Sequence, residues 1–147
     1  MPWSDVPAFV KKHVVEFKQG EATRAALLFL ILTAARSGEV RGAIWDEFDL
    51  EAGIWTIPGE RLSDMVLTSS LRRVKAHSDT PRRVATAHSF RSSFRDWASE
   101  QGYARDLAER ALAHTVANKV EAAYHRTDLL EQRRPLMEAW AKHVRGL

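Results

Sequence analysis

The order of apolar and polar positions along the chain predicts a mainly α-helical fold. Residues 2–18 are predicted to form a first helix, with Ser4 as its N-cap and Pro7 in its first turn, and Gly20 ends it. A second helix is predicted over residues 21–34. Because its residues are apolar on nearly every side, this second helix should lie at the centre of the core.

A short helix and one weak β-strand are predicted next. Residues 36–45 indicate a turn and a short helix, and a strand-like run at 54–57 follows a turn near Gly53. An unpaired strand leaves its backbone N–H and C=O groups unsatisfied. The strand should therefore be very short, pair locally with residues 48–50, or pair with another chain.

The second half of the chain predicts further helices that are separated by a basic loop. A helix is predicted over residues 62–75, with Ser63 as its cap, and a basic loop follows at residues 76–87. Another helix is predicted over residues 88–101. Gly102 should end it, because glycine readily adopts the left-handed conformation found after a helix C-terminus.

Three more helical segments complete the predicted fold. They cover residues 105–113, residues 119–124 and the chain beyond Asp128. Pro135 falls within the last of them, so this helix should either be kinked or begin at Arg134. The sequence shows no internal repeat, and residues 1–147 are predicted to form a single domain.

Composition excludes several classes of protein. Apolar residues make up 45% of the chain and charged residues 28%, which is typical of a soluble globular protein. The absence of cysteine excludes disulfides and thiolate sites. The N-terminus lacks the pattern of a signal peptide, and the longest apolar run, residues 25–35, is shorter than the roughly 20 residues that cross a bilayer. We therefore expect a cytoplasmic protein without a membrane partner.

Basic residues are unevenly distributed, although the net charge is only +3. Between Arg72 and Arg95 there are seven basic residues and one acid, Asp79. A cluster of this kind is either a solvated surface or a contact with nucleic acid.

The predicted helix at residues 88–101 carries two different stripes. The apolar stripe has the i, i+4, i+7 spacing of a buried face and consists of Phe90, Phe94 and Trp97. The separate basic stripe consists of His88, Arg91 and Arg95. Cations in the first turn of a helix are disfavoured unless an anion docks there, so the stripe predicts a phosphate site, with a solvent-facing edge as the alternative. Charge reversal at Arg91 should then weaken phosphate binding and barely alter the fold.

Two further side chains could serve either chemistry or packing. Arg36 directly follows the buried second helix, which would hold its guanidinium in place to bind a phosphate bidentately. The alternative is an arginine that bonds the last carbonyl groups of that helix. Tyr124 shares a helical face with Val120 and Ala123, so its position alone indicates a packed ring. The six histidines show no zinc-binding pattern, and no metal site is predicted.

The order of these residues closely resembles that of the tyrosine recombinases, specifically the phage-type integrases. An arginine after a buried helix, H-x-x-R at the start of another helix, the sequence LAHT, and a tyrosine ten residues after that histidine occur in the family's order and spacing. The resemblance covers nearly the whole chain, and the sequence SGEV after the first arginine also matches. It implies a mainly α catalytic domain with a reduced β-hairpin or a single short strand. The catalytic residues implied are Arg36, His88, Arg91, His114 and Tyr124, with Glu39 as a supporting residue.

The activity implied by the resemblance is site-specific DNA recombination or integration. Tyr124 would attack a DNA phosphodiester and form a 3′-phosphotyrosyl intermediate, while the arginines and histidines stabilise the charge of the transition state without a metal. A histidine can accept the tyrosine proton. Because the phosphotyrosyl link keeps the energy of the bond, rejoining needs no cofactor.

Two departures from the family pattern limit this expectation. The chain begins at the catalytic domain, without the family's N-terminal DNA-binding domain. The β-hairpin that carries the family's general-acid lysine is also absent, because the chain is shortened near residues 61–62. Lys75 is the nearest lysine in order, but it follows a different element, and no residue is assigned this role. Losing a general acid typically costs ~10²–10⁴-fold in rate, which leaves the activity of this chain open.

The resemblance implies duplex DNA with attachment-type sites as the partner, a homo-oligomer on that DNA, and a location at the bacterial nucleoid. The predicted DNA-binding residues are Arg72, Arg73, Lys75, Arg82, Arg83, Arg95 and Lys119. Two alternatives remain, a catalytically defective DNA-binding remnant of the same family and a helical protein-interaction module. A type IB topoisomerase uses similar residues, but the integrase-like flanking sequences argue against it.

Overall fold

The fold is mainly α-helical, as predicted, and the part of the chain that the structure describes includes a reduced β-hairpin. The computed structural model describes residues 1–16, 21–57, 66–113 and 129–147. Short 3₁₀ turns at Trp3–Asp5 and Trp45–Glu47 accompany the helices and strands. In chain order, the described α-helices and β-strands are α1 (Val6–His13), α2 (Ala22–Thr33), α3 (Ser37–Arg41), β1 (Phe48–Asp49), β2 (Ile54–Trp55), α4 (Val66–Arg73), α5 (Ser89–Glu100), α6 (Arg105–Ala111) and α7 (Leu130–Arg145).

Two helices organise the core. The apolar helix α2 packs against α3, α4 and α7, and its Leu30 and Ile31 are fully buried, which confirms its predicted central position. The C-terminal helix α7 packs against α1, α2, α5 and α6. It buries Leu136, Trp140 and Val144, which recur every fourth residue and so share one helical face. The end of the chain is therefore built into the same core as its beginning.

A cluster of rings locks α7 to the rest of the molecule. The indole Nε1 of the buried Trp140 donates a hydrogen bond of 2.7 Å to the carbonyl oxygen of Ile31 in α2. Its ring lies 5.2 Å from that of Trp97 in α5 and 5.5 Å from that of His143. The ring of His143 also lies 5.4 Å from that of Trp3. Aromatic contacts at these distances stabilise the docking beyond simple burial, so α7 is fixed along much of its length.

The β-hairpin is short and pairs locally, which was one of the predicted arrangements. The two strands are antiparallel, with Phe48 opposite Trp55 and Asp49 opposite Ile54. The rings of Phe48 and Trp55 stack at 5.3 Å, and Trp55 also packs 5.0 Å from Phe29 of α2. The turn between the strands contains Gly53 with a φ of +65°, a conformation that glycine adopts without a steric penalty. The hairpin is thereby anchored to the outer side of α2.

The first helix is shorter than predicted. Ser4 is not its N-cap, because a 3₁₀ turn occupies Trp3–Asp5 and makes Asp5 the N-cap residue of α1. The helix ends at His13, since the backbone of Val14 leaves the helical region at a φ of −125°. Residues 17–20, including the predicted breaker Gly20, lie outside the described residues.

The last helix does not begin at Arg134, which corrects one of the two predicted alternatives. It begins at Leu130 and continues through Pro135 to Arg145. A proline inside a helix removes one intrahelical hydrogen bond, here the one to the carbonyl group of Glu131. Both residues are exposed, so water can solvate this carbonyl group.

The predicted basic loop at residues 76–87 has more order than expected. Its two sides meet at an antiparallel bridge between His77 and Val84, and the backbone N–H of Ala85 donates to the carbonyl oxygen of Ala76 at 2.9 Å. Both alanines are buried, which explains the pairing, because small side chains let the two sides approach the core. The predicted cap Ser63 lies outside the described residues, and within those residues no helix is long and apolar enough to cross a membrane.

We expect Trp140→Phe to lower the free energy of unfolding by about 2 kcal/mol, because the buried carbonyl group of Ile31 loses its donor. Urea denaturation would measure this change. Trp45→Phe is the matched control, since Trp45 is 80% exposed, and it should change stability by less than about 0.5 kcal/mol. Equal stabilities of the two variants would contradict the proposed role of the indole N–H.

Candidate functional site

Arg91 is buried between the C-terminal ends of two helices. Only 3% of the residue is exposed. Its Nη1 donates 2.6 Å to the carbonyl oxygen of Ala34, which follows α2, and its Nη2 donates to the carbonyl oxygen of Leu112, which follows α6. The carbonyl groups at a helix C-terminus have no intrahelical donor and carry the negative end of the helix dipole. One guanidinium therefore satisfies two helix ends at once.

This position corrects the predicted basic stripe on α5. His88 and Arg95 are exposed, whereas Arg91 is turned inward, so the three side chains do not form one surface. The physical reason is that α2 and α6 end above Arg91, and their carbonyl groups compensate the cost of burying its charge. The expectation that charge reversal at Arg91 would barely alter the fold is corrected too, because a carboxylate there would face two carbonyl oxygens.

The charge of Arg91 is affected by its surroundings but is retained. Burial lowers the pKa of the Arg91 guanidinium to about 10, and the nearby charge of Arg36 acts in the same direction. Glu39 and Glu109 partly oppose this change. A pKa of about 10 still leaves the group protonated at neutral pH. The site thus holds a cation that is poorly solvated by water, which strengthens its interaction with any anion that approaches.

Arg36 is held next to Arg91 by Glu39. The carboxylate of Glu39 accepts a hydrogen bond of 2.7 Å from Nη1 of Arg36 and one of 2.6 Å from its backbone N–H, a capping arrangement at the start of α3. The Nη2 of Arg36 donates 3.0 Å to the carbonyl oxygen of Ala113. Arg36 therefore does not bond the last carbonyl groups of α2, since Arg91 occupies that position. The two arginines instead bind consecutive carbonyl groups, those of Leu112 and Ala113.

The other predicted site residues are placed differently. His88 is the N-cap residue of α5 and is exposed, one helical turn before Arg91. His114, Tyr124 and Lys119 lie outside the described residues. Among the described residues, no group of three or more His, Asp or Glu side chains is arranged to hold a metal ion.

A cavity of about 620 Å³ opens beside the arginines. Its apolar wall comes from the end of α2, from β2 and from the start of α7, and includes Leu32, Ile54, Ile57, Leu130 and Met137. Its charged wall is formed by Arg91, Glu39, Arg133, Arg134 and Glu138. Sequence reasoning missed Arg133 and Arg134 of α7. Their i+3 and i+4 spacing from Leu130 was the signal that would have placed them on one face with it.

The predicted DNA-binding residues outside the cavity are at the surface. Arg72 and Arg73 end α4, and Lys75, Arg82 and Arg83 belong to the bridged loop after it; all five are exposed. Lys75 and Arg82 have left-handed backbone conformations, with φ values of +50° and +62°. The side chain of Arg95 is 55% exposed, and its Nε lies 3.9 Å from the carboxylate of Asp96.

The sequence is similar to integrases of phages and prophages. It is 32% identical to prophage integrase IntA of Escherichia coli K12, over 85% of this chain and 39% of that protein. It is 26% identical to the integrase of Enterobacteria phage P4 over 98% of the chain and 45% of the relative, and 26% identical to prophage integrase IntZ of E. coli K12 over 98% and 44%. The chain thus spans less than half the length of these relatives. No family model and no solved structure matches it.

We expect Arg91→Glu to lower the free energy of unfolding by about 3–5 kcal/mol, because it removes two buried hydrogen bonds and places a carboxylate against carbonyl oxygens. Arg95→Glu makes the same charge change on the exposed side of α5 and should cost less than about 0.5 kcal/mol. Urea denaturation of both variants measures the difference. If Arg91→Glu were as stable as Arg95→Glu, the bonds to the helix ends would contribute nothing to the fold.

Proposed function

This chain is related to the phage integrases, and on that premise we propose that it is a DNA strand-cleavage and strand-exchange domain with Tyr124 as its nucleophile. Site-specific integration or recombination is the function of the family. The finer assignment rests on one observation in particular, the convergence of Arg36 and Arg91 on the C-terminal end of α6.

The convergence of Arg36 and Arg91 on the end of α6 matters because the next segment of the chain contains the proposed nucleophile. Ala113 and Leu130 both line the cavity, and the segment between them contains His114 and Tyr124. Tyr124 is six residues from Leu130, a stretch that spans at most about 20 Å when fully extended. Along the chain, Tyr124 is therefore close to a residue that lines the same cavity as Arg91.

The proposed reaction uses the residues in distinct roles. The Tyr124 oxygen attacks the phosphorus of a DNA phosphodiester, the bond from phosphorus to the 5′ oxygen breaks, and a 3′-phosphotyrosyl link forms. A histidine accepts the phenolic proton. Arg36 and Arg91, with His88 and His114, stabilise the negative charge on the phosphoryl oxygens. The attack of a free 5′-hydroxyl on the phosphotyrosyl link reverses the step and rejoins the strand.

The hydrogen bonds that hold Arg36 and Arg91 in place support a site that is preorganised before DNA binds. Arg36 and Arg91 are fixed by hydrogen bonds to Glu39 and to backbone carbonyl groups, so little reorganisation is needed when a phosphate arrives. Both Nη atoms of Arg91 are bonded to carbonyl groups and its Nε is buried, so Arg91 acts on a phosphate through its charge.

A second candidate function is a DNA-binding remnant that cleaves slowly or not at all. The match to the phage P4 integrase extends over 198 positions, which exceeds the 147 residues of this chain by 51. The relative must therefore contain residues that have no counterpart here. We propose that the shortening lies near residues 61–62, which are outside the described residues, and that the hairpin lysine is lost with it. Departure of the 5′ oxygen would then have to proceed without a general acid.

The exposed basic residues at the end of α4 and in the bridged loop support duplex DNA as the partner. We propose that this surface binds the phosphates that flank an attachment-type site, in a homo-oligomer on bacterial chromosomal DNA at the nucleoid. The helical interaction module is the remaining candidate. An exposed apolar group beside the hairpin favours it, with Ile44 57%, Trp45 80% and Leu50 76% exposed.

The nucleophile is tested with a nicked duplex that loses a short 5′ fragment after cleavage and so traps the covalent intermediate. We expect the wild-type chain to form a protein–DNA adduct on a denaturing gel and Tyr124→Phe to form none. Tyr103→Phe is the matched control, because Tyr103 is the other tyrosine of the chain, and it should form the adduct. Salt-sensitive DNA binding without any adduct would instead establish the remnant, and absence of both would favour the interaction module.

The DNA surface is tested by salt dependence. Removal of one phosphate contact should reduce the slope of log affinity against log salt by about 0.9, so the double variant Arg82→Gln, Arg83→Gln should reduce it by roughly 1.8. Fluorescence anisotropy with a labelled duplex measures the slope. The double variant Lys11→Gln, Lys12→Gln removes the same charge from the exposed end of α1 and should leave the slope unchanged. Equal slopes for the two double variants would rule out the loop as a DNA contact.

A further inference from the structure

One face of α7 lines the arginine-containing cavity. Its residues have the spacing i, i+3, i+4, i+7 and i+8 and are Leu130, Arg133, Arg134, Met137 and Glu138. The adjoining face of the helix, which contains the fully buried Trp140, packs on the core. The two arginines are thus held on a rigid, well-packed helix and are partly buried at the cavity wall.

The charged side chains that line this cavity are predominantly positive. Arg91, Arg133 and Arg134 are set against the two carboxylates of Glu39 and Glu138. The carboxylate of Glu39 also forms an ion pair of 2.7 Å with Arg36, which brings a fourth guanidinium to the same region. The Nε of Arg134 lies 3.2 Å from the carboxylate of Glu131, but that carboxylate is 81% exposed, so water weakens the pair. Among the described residues that line the cavity, three arginines and two carboxylates leave an excess of one positive charge.

The position of the two arginines along the helix adds to this imbalance. They are the fourth and fifth residues of α7, close to the positive end of the helix dipole, where cations are disfavoured. On the facing wall, Arg91 is only 3% exposed and its Nε has no partner among the described residues. The positive charge of Arg91 lies at the wall of this cavity, where it attracts an anion.

We propose that Arg133 and Arg134 are DNA-binding residues that hold a backbone phosphate of the strand on which Tyr124 acts. This inference rests on the proposed function and adds a second wall of guanidinium groups to the site. The two arginines position the strand, and they take no part in the covalent step. The cavity then binds the DNA from two sides, with Arg91 from α5 and the arginine pair from α7.

A purely structural role is the competing explanation for Arg134. The Nη1 of Arg134 lies 3.4 Å from the place where a Cβ atom on Gly53 would be, so its side chain packs against the turn of the hairpin. If this contact were its whole purpose, its loss would lower stability and leave DNA binding unchanged. Measuring DNA affinity therefore distinguishes a packing role of Arg134 from a role in phosphate binding.

The test compares single variants Arg133→Gln and Arg134→Gln with Arg145→Gln, which removes the same charge from the exposed last turn of α7. Affinity for a labelled duplex is measured by fluorescence anisotropy over a series of salt concentrations. Each of the first two variants should lower affinity on the order of tenfold at low salt and reduce the salt slope by about 0.9. Arg145→Gln should keep the wild-type slope, and so should the double variant Arg133→Lys, Arg134→Lys, because it keeps both charges.

The outcomes separate this inference from the proposed function. Wild-type slopes in Arg133→Gln and Arg134→Gln overturn the inference even if Tyr124 still forms its adduct, and urea denaturation would then show the stability loss expected of a structural role. If either variant fails to fold, the lysine double variant decides, because a slope below that of wild type contradicts simple phosphate binding. A folded wild-type chain that binds no DNA overturns both proposals, whereas reduced slopes without any adduct support the inference and favour the DNA-binding remnant.

Discussion

The junction at Arg91 is the interaction on which the rest of the structure depends. Helices α2 and α6 end inside the molecule, and the carbonyl groups at those ends need donors that water cannot supply. Arg91 supplies them to the buried Ala34 and Leu112, and Arg36 adds a hydrogen bond to the carbonyl group of Ala113, which is exposed. These bonds fix the distance between the two helix ends. They also determine where the chain leaves α6 toward the segment that contains the predicted nucleophile.

The same hydrogen bonds stabilise the candidate site, and replacing Arg91 would therefore destabilise the fold. A guanidinium that must hold two helix ends together cannot be lost without weakening the fold, so selection for folding alone would retain Arg91. Its presence is therefore weaker support for catalysis than the motif suggests. Stronger support comes from Arg36, which is half exposed, lies beside Arg91, and is oriented by Glu39 through an ion pair of 2.7 Å. Holding an exposed arginine in one orientation contributes little to stability and is more readily explained by a ligand.

Sequence reasoning succeeded where the signal is local and failed where it depends on how elements meet. The apolar run of α2 and the short strand beside residues 48–50 predicted the central helix and the hairpin, because burial and strand pairing there are determined by neighbouring residues. The burial of Arg91 depends on two helices, α2 and α6, ending at one place, which no periodicity within α5 reveals. Arg133 and Arg134 were missed for a similar reason, since the docking of Trp140 on α2 turns their face toward the cavity. The bridge from His77 to Val84 was hidden by a polar sequence whose few buried residues are alanines.

The ring cluster around α7 also makes intrinsic tryptophan fluorescence a probe of the docking of this helix. Trp140 is fully buried and packed against Trp97 and His143, whereas Trp45 is 80% exposed beside the hairpin. Indole emission shifts to longer wavelength when the ring enters water, so the two environments contribute at different ends of the emission spectrum. Detachment of α7 would shift the emission of Trp140 to longer wavelength and leave the emission of Trp45 unchanged. The native chain can thus report the position of the helix that carries Arg133 and Arg134 without any added label.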